Sequence, residues 1–115
     1  MRGIPEQYSR LKADCDGYIL LMQVGNFLVL FGKDAESVSQ SCGLKLVPSG
    51  SMDNPIARAG LPVVAMDKYI GRLLRSGYKV AIALQKEDEN GSMSRVITER
   101  IEAVRQLPEV KDEKR

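Results

Sequence analysis

The chain has 115 residues, a length that suits one domain and is too short for two. With 43% hydrophobic and 28% charged residues, its composition excludes a disordered chain and indicates an ordinary soluble globular protein. The formal net charge of +2 is too small to indicate a nucleic-acid partner by itself.

The first half of the chain alternates apolar runs with turn residues, which predicts a series of helices and strands. The expected elements are, in order, a helix over 5–15, strands over 18–24 and 27–31, a helix over 33–41 and a short strand over 44–47. Gly25 and Asn26 are expected to form the turn between the first two strands. A loop is expected over 48–55, where proline, glycine and serine cluster.

The second half of the chain contains the clearest amphipathic helix. The expected elements are, in order, that helix over 65–76, a buried strand over 79–84, a polar loop over 85–93 and a final strand over 94–101. Alternating helices and strands predict an α/β or α+β fold, with a mixed sheet of five to six strands and about three helices. We expect one domain over 1–104 and a charged, flexible tail over 105–115.

Basic residues concentrate between positions 56 and 84, where five of them stand against one acidic residue, for a local net charge of +4. The basic residues are Arg58, Lys68, Arg72, Arg75 and Lys79. Such a segment can form a phosphate-facing patch on a near-neutral protein. The alternative is a solvated helix face with chance clustering, and charge alone favours that alternative.

Two cysteines, Cys15 and Cys42, lie far apart and form no Cys-x-x-Cys pair. A secreted domain of this size usually carries more cysteines, so we expect reduced thiols in a cytoplasmic protein, packed as small core residues. No signal peptide is visible in the polar first 17 residues, and the apolar run over 18–22 is too short to span a bilayer. We therefore expect no membrane partner.

Most residue types that catalysis needs are missing. The chain has no histidine, which removes the commonest general base and most zinc sites, and it has no P-loop motif. We expect no enzymatic activity, no cofactor and no metal ion. A metal-dependent nuclease remains as the one enzyme class that needs only carboxylates and a lysine. Its candidates are Lys86, Glu87, Asp88 and Glu89 in the expected loop, and Glu109 and Lys111 in the tail.

A series of short motifs runs in order, with few gaps, from Gln7 to Thr98. The motifs are Gln7-Tyr8, Leu11-Lys12, Gln23-Val24-Gly25-Asn26-Phe27, Leu30-Phe31, Asp34-Ala35, Ala59-Gly60-Leu61-Pro62, Gly77-x-x-Val80-Ala81 with Gln85, and Arg95-Val96-Ile97-Thr98. No single motif is specific, but together they resemble the first domain of the MutS family over about four-fifths of the chain. The resemblance implies the MutS domain I fold, here without the clamp and ATPase of that family.

In that family a phenylalanine enters the minor groove beside a mispaired base, and a glutamate two residues later hydrogen-bonds the base. By the resemblance Phe27 is this wedge, and Val29 stands at the glutamate position, where valine can form no hydrogen bond. Arg58 and Arg95 are candidate phosphate contacts, since cationic contacts supply much of the affinity of such modules. The resemblance therefore implies a DNA-binding module whose partner is mispaired or distorted double-stranded DNA.

Alternatives to this interpretation stay open. Phe27 can be a core residue of its strand, as Phe31 is expected to be, and the two candidate arginines can be solvated surface residues. Val29, Val63 and Val64 replace polar residues where DNA would lie, which favours a degenerate domain that binds a protein instead. A single domain with few DNA contacts is also expected to bind weakly, so a protein partner or self-association would have to add affinity.

Overall fold

Six strands in the described part of the chain form one mixed sheet. The computed structural model describes residues 3–51 and 53–102. In chain order the elements are α1 (Ile4–Ala13), β1 (Tyr18–Val24), β2 (Phe27–Phe31), α2 (Gly32–Cys42), β3 (Val47–Ser51), β4 (Asn54–Pro62), a 3-10 turn (Val63–Ala65), α3 (Met66–Arg75), β5 (Lys79–Glu87) and β6 (Met93–Ile101). The strand order is β3-β4-β2-β1-β5-β6, with β1 and β5 parallel and the other neighbours antiparallel. The expected α+β class with its mixed sheet is confirmed.

The central strands are continuous apolar runs because both faces of the sheet are covered there. Residues 19–22 of β1 and 80–83 of β5 are all buried. On β4 burial alternates instead, since Ala59 and Leu61 are buried whereas Arg58 is exposed. Helix α2 packs mainly on β4 and beside α3, so these two helices cover the Ala59 face of the sheet.

Helix α1 packs on the other face of the sheet, the face on which the Phe31 side chain lies. Tyr8 of α1 packs edge-on against Phe31, with ring centroids 5.4 Å apart. From there α1 crosses toward β6. The start of β2 and the neighbouring part of β4 therefore lie outside its cover, and this uncovered surface holds the candidate site.

A buried carboxylate ties α1 to the sheet. Asp34, in the first turn of α2, is only 6% exposed. It accepts hydrogen bonds from the backbone N–H of Leu20 at 3.1 Å and from the Tyr8 hydroxyl at 2.7 Å. The Lys12 ammonium group lies 2.9 Å from the same carboxylate and pairs with its charge. One side chain thus joins α1, β1 and α2.

The expected loop over 48–55 is wrong, because this segment forms the hairpin of β3 and β4. The short strand expected over 44–47 is also wrong, since the strand begins only at Val47. Proline is tolerated at Pro48 because β3 is the edge strand. Pro55 is tolerated because it lies beyond the part of β4 that pairs with β2.

Strand β4 also includes Gly60 and Pro62, two residue types that are common in turns. Gly60 lies opposite Val29, and Pro62 lies opposite Phe27, in the ladder between β4 and β2. Pairing with β2 outweighs the local turn preference of these residues. The chain turns only after Pro62, where the 3-10 turn leads into α3.

Strand β5 is longer than expected and runs to Glu87, so most of the polar loop expected over 85–93 is strand or tight turn. Asp88 closes this turn, because its carboxylate accepts hydrogen bonds from the backbone N–H groups of Asn90 and Ser92, both at 2.9 Å. Asp88, which the sequence predicts to lie in a loop, therefore stabilises the turn between β5 and β6.

The remaining expectations concern the cysteines, the membrane and the tail. Cys15 and Cys42 are buried free thiols, which confirms that they are core residues. Across 3–51 and 53–102, no helix is long and apolar enough to cross a bilayer. The domain end expected at residue 104 and the charged tail over 105–115 lie outside the described residues.

Candidate nucleic-acid interface

Phe27 is an exposed aromatic residue on a strand that is otherwise buried. Its side chain is 54% exposed, whereas the other four residues of β2 are buried. The alternative interpretation of Phe27 as a core residue is therefore wrong. The expectation that Phe31 is a core residue is confirmed, because Phe31 is buried and packs against Tyr8. Exposing an aromatic ring to water costs burial free energy, so Phe27 is a candidate binding residue.

The turn that carries this ring is tied to neighbouring segments. Gly25 has φ of 63°, a left-handed conformation that suits glycine. The Gln85 side chain accepts a hydrogen bond from the Gly25 N–H at 2.5 Å, and the Gln23 side chain donates to the Gly25 carbonyl at 3.0 Å. The Val63 N–H donates to the Asn26 carbonyl at 2.9 Å. The ring is thus held on a preorganised turn.

Phe27 stands at one end of an open cleft of about 370 Å³ on the sheet face that α1 leaves uncovered. The lining residues are Val24, Phe27, Val29, Lys45, Val47, Arg58, Ala59 and Gly60. Val29, 4% exposed, forms part of the floor. The cleft is open because the residue of β4 opposite Val29 is Gly60, which has no side chain to fill the space.

Two cations lie at the same cleft. Arg58 projects from β4, and Lys45 precedes β3. Within the described ranges neither side chain makes a salt bridge or a side-chain hydrogen bond, so both charges are available to a ligand. The structure thus brings three of the four predicted site residues, Phe27, Val29 and Arg58, to one cleft. It adds Lys45, whose only sequence signal is its charge.

Arg95 lies apart from this cleft, in a depression beside α1. Its guanidinium donates hydrogen bonds to the Gln23 carbonyl at 2.6 Å and to the Gln7 side chain at 2.9 Å. Arg95 thereby connects β6, β1 and α1. These contacts hold the end of β1, next to the turn that carries Phe27.

The basic residues of α3, which are Lys68, Arg72 and Arg75, do not line the cleft either. Lys68 and Arg72 lie over the Tyr69 ring of their own helix, at 5.7 and 5.8 Å from its centroid. Arg72 also donates to the Cys42 carbonyl at 3.5 Å. Helix α3 covers the other face of the sheet, and none of its cations lines the cleft.

The acidic turn after β5 has no metal-binding geometry. In the described part of the chain, no group of three or more His, Cys, Asp or Glu residues is placed to hold a metal ion. The Asp88 carboxylate is occupied by backbone N–H groups of its own turn. The other nuclease candidates, Glu109 and Lys111, lie outside the described residues.

Comparison with known proteins gives a family match along most of the chain. The family model for MutS domain I matches residues 2–106. The DNA mismatch repair protein MutS of a Thermus thermophilus strain is 38% identical over 97 residues, which are 82% of this chain and 12% of that protein. MutS of Methanothrix thermoacetophila is 42% identical over 85 residues, 72% of this chain and 10% of that protein. MutS 1 of Haloarcula marismortui is 38% identical over 99 residues, 84% and 11% respectively. The chain thus spans only 10–12% of these relatives.

Proposed function

Because the chain belongs to the MutS domain I family, we propose that it is a DNA-binding module that engages mispaired or distorted duplex DNA. The observation that carries this proposal is the exposed Phe27 ring, held on an anchored turn beside the cations Lys45 and Arg58. Its mismatch-repair relatives add support.

The mechanism is a balance between unstacking and restacking. Inserting an apolar side chain between base steps costs a few kcal/mol, and the cost is least where pairing is already defective. Stacking an aromatic ring on a base returns about 1–3 kcal/mol. A mismatch lowers the cost while the gain from Phe27 stays the same. Discrimination follows from that difference, without a hydrogen bond from Val29.

Phosphate contacts supply most of the affinity in this proposal. In it, Arg58 and Lys45, which line the cleft beside Phe27, contact the DNA backbone. Arg95 has a supporting role instead, because its guanidinium already donates hydrogen bonds inside the fold. With so few cationic contacts, the isolated module binds at roughly 10⁻⁴–10⁻⁶ M, and a protein partner or self-association adds the rest.

A cytoplasmic location belongs to the same proposal. Cys15 and Cys42 are free thiols, and burial raises the pKa of each thiol, which leaves less of the reactive thiolate. Free thiols of this kind suit a reducing compartment.

A protein-binding module is the second candidate function, and one observation favours it. Val64, in the 3-10 turn that follows β4, is 96% exposed. An apolar side chain so close to the Phe27 turn is better suited to a protein surface than to phosphates. If this candidate is right, the folded domain binds no duplex at low salt.

Fluorescence anisotropy with labelled duplexes tests the two functions. Matched and mismatched duplexes of one length are titrated with wild type, with Phe27→Ala and with Val96→Ala, which truncates an exposed apolar residue on the distant strand β6. We expect Phe27→Ala to lower mismatch affinity by roughly 5- to 150-fold, the equivalent of the stacking free energy. Val96→Ala should bind as wild type does. Equal binding by Phe27→Ala and wild type would exclude the wedge.

A further inference from the structure

Exposed apolar side chains gather at the end of the sheet that lies away from Phe27. Leu46, Val47 and Ile56 are 40%, 38% and 36% exposed. Ile56 stands on β4 six residues before Pro62, which pairs with Phe27, a separation of roughly 20 Å along the strand. Ile56 does not line the Phe27 cleft and therefore belongs to a different surface.

Ile56 lines three depressions. One lies between α1 and the start of α2, one on the outer side of α1 and one around the β3–β4 hairpin. Because they share Ile56, they form one continuous surface, which we name the Ile56 surface. Its exposed and half-buried apolar residues are Pro5, Leu46, Val47, Pro48, Pro55 and Ile56. Contiguous exposed apolar residues of this kind mark an interaction site.

The depression between Ile56 and α1 can hold a side chain of a partner. It has a volume of about 300 Å³, and its walls include the packed rings of Tyr8 and Phe31. This volume is at the lower end of the range for ligand sites, so it suits one bulky side chain rather than a cofactor. A side chain buried in such a pocket can supply much of the binding free energy of an interface.

The rim of the Ile56 surface is basic. Lys33 lines the depression beside α2, and Arg10 lines the one on the outer side of α1. In the part of the chain that the structure describes, neither side chain makes a salt bridge or a side-chain hydrogen bond. The carboxylates nearby are already stabilised, since Asp34 pairs with a lysine inside the fold and Glu6 lies in the first turn of α1. The rim therefore attracts negative charge.

We propose that the Ile56 surface docks a peptide segment of a partner protein in which one bulky apolar side chain is flanked by carboxylates. The apolar side chain enters the depression beside Ile56, and the carboxylates pair with Lys33 and Arg10. An apolar centre with a polar rim is the usual anatomy of protein interfaces, whereas surfaces that bind DNA are more polar and more positively charged. This site goes beyond the proposed DNA binding and does not depend on it.

A displayed peptide library panned on the wild-type protein tests the proposal. We expect the enriched peptides to share a bulky apolar residue with Asp or Glu close to it in sequence. In fluorescence anisotropy, labelled copies of these peptides should bind Ile56→Asp roughly tenfold more weakly than wild type, because a carboxylate then stands in the apolar centre. Lys33→Glu should weaken binding several-fold at low salt and less at high salt.

Val96→Asp is the matched control, because Val96 is 38% exposed on the distant strand β6, and it should bind the peptides as wild type does. If Ile56→Asp fails to fold, Ile56→Ala should give a smaller loss in the same direction. Panning that enriches no acidic peptide, or equal binding of the peptides by wild type and a folded Ile56 variant, overturns the proposal. Displacement of the peptide by matched duplex DNA also overturns it, as does a wild-type dimer in light scattering that Ile56→Asp abolishes, since the surface then holds DNA or a second copy.

Discussion

Gln23 and Gln85 bridge β1 and β5 beyond the point where their backbone ladder ends. The last register pair between these strands is Met22↔Ala83. One step further, the Gln23 side-chain oxygen accepts a hydrogen bond from the Gln85 N–H at 2.9 Å, and the Gln85 side chain accepts from the Gly25 N–H. Side chains thus replace the missing backbone bonds, and the Phe27 turn is held against β5.

Removing the Gln85 bridge should loosen the turn. In Gln85→Leu the Gly25 N–H loses its acceptor, so we expect a loss of about 1 kcal/mol in stability and several-fold weaker binding to mismatched DNA. Gln40→Leu, an exposed position on α2, is the matched control. Faster amide exchange at Gly25 would report the loosened turn. If Gln85→Leu keeps both wild-type affinity and slow exchange, the bridge does not position Phe27.

Replacing Arg58 should weaken DNA binding, whereas replacing Arg95 should lower the stability of the fold. Arg58→Ala is expected to reduce the slope of log affinity against log salt by about 0.9, the value for one lost phosphate contact, with little change in stability. Arg95→Ala removes hydrogen bonds to Gln23 and Gln7, so we expect it to lower stability by about 1.5–3 kcal/mol. Anisotropy titrations over a range of salt, with urea unfolding of each variant, measure both. A reduced salt slope for a fully stable Arg95→Ala protein would contradict this division.

The carboxylate of Asp34 should be among the most sensitive side chains for stability. Asp34→Ala removes the charge partner of Lys12 and the acceptor of the Leu20 N–H, and we expect a loss of about 3–5 kcal/mol. Glu36→Ala removes an exposed carboxylate from the same helix and should change stability by less than about 0.5 kcal/mol. Urea unfolding followed by circular dichroism compares the two. Similar midpoints for both variants would show that Asp34 contributes little.

Alkaline pH should destabilise the fold through Tyr8. Burial, and next the charge of Asp34, raise the pKa of the Tyr8 hydroxyl above its usual value. Above about pH 10 the unfolded chain releases this proton while the folded chain keeps it, so unfolding is favoured by about 1.4 kcal/mol per pH unit until the folded-state pKa is reached. Below pH 10 the contribution is fully present. Urea unfolding at several pH values measures this effect. Above pH 10 the free energy of unfolding should fall less steeply with pH in Tyr8→Phe than in wild type. Equal slopes would mean that Tyr8 ionises in the folded state.

Much of the fold follows from local patterns along the chain. The apolar runs of β1, β2 and β5 are long enough to require burial on both faces, and the apolar spacing of α3 is specific to a helix. These elements were predictable because their signals are repeated over many residues. The β3–β4 hairpin was not, because its prolines and glycine resemble a loop until an edge position makes the missing N–H groups harmless.

Some residues of the candidate site were likewise predictable from the sequence, and others were not. Phe27 and Val29 could be named from the sequence because the motif series places them, and Arg58 because of its charge, but neither signal says which face of the sheet a residue occupies. Arg95 has the same charge as Arg58 and makes its contacts inside the fold. Lys45 has no motif and joins the site only through the path of the chain between α2 and β3.

By itself the sequence determined the family, the central strands and helices, and an aromatic residue after a tight turn. Only the tertiary structure decided that this ring faces water, that Gly60 opens a cleft beside it, and that Lys45 and Arg58 share its surface. The physical reason is that burial and charge neighbourhood depend on residues distant in the chain. Ladder pairing between β2 and β4 brings Val29 opposite Gly60, and no local pattern encodes that register.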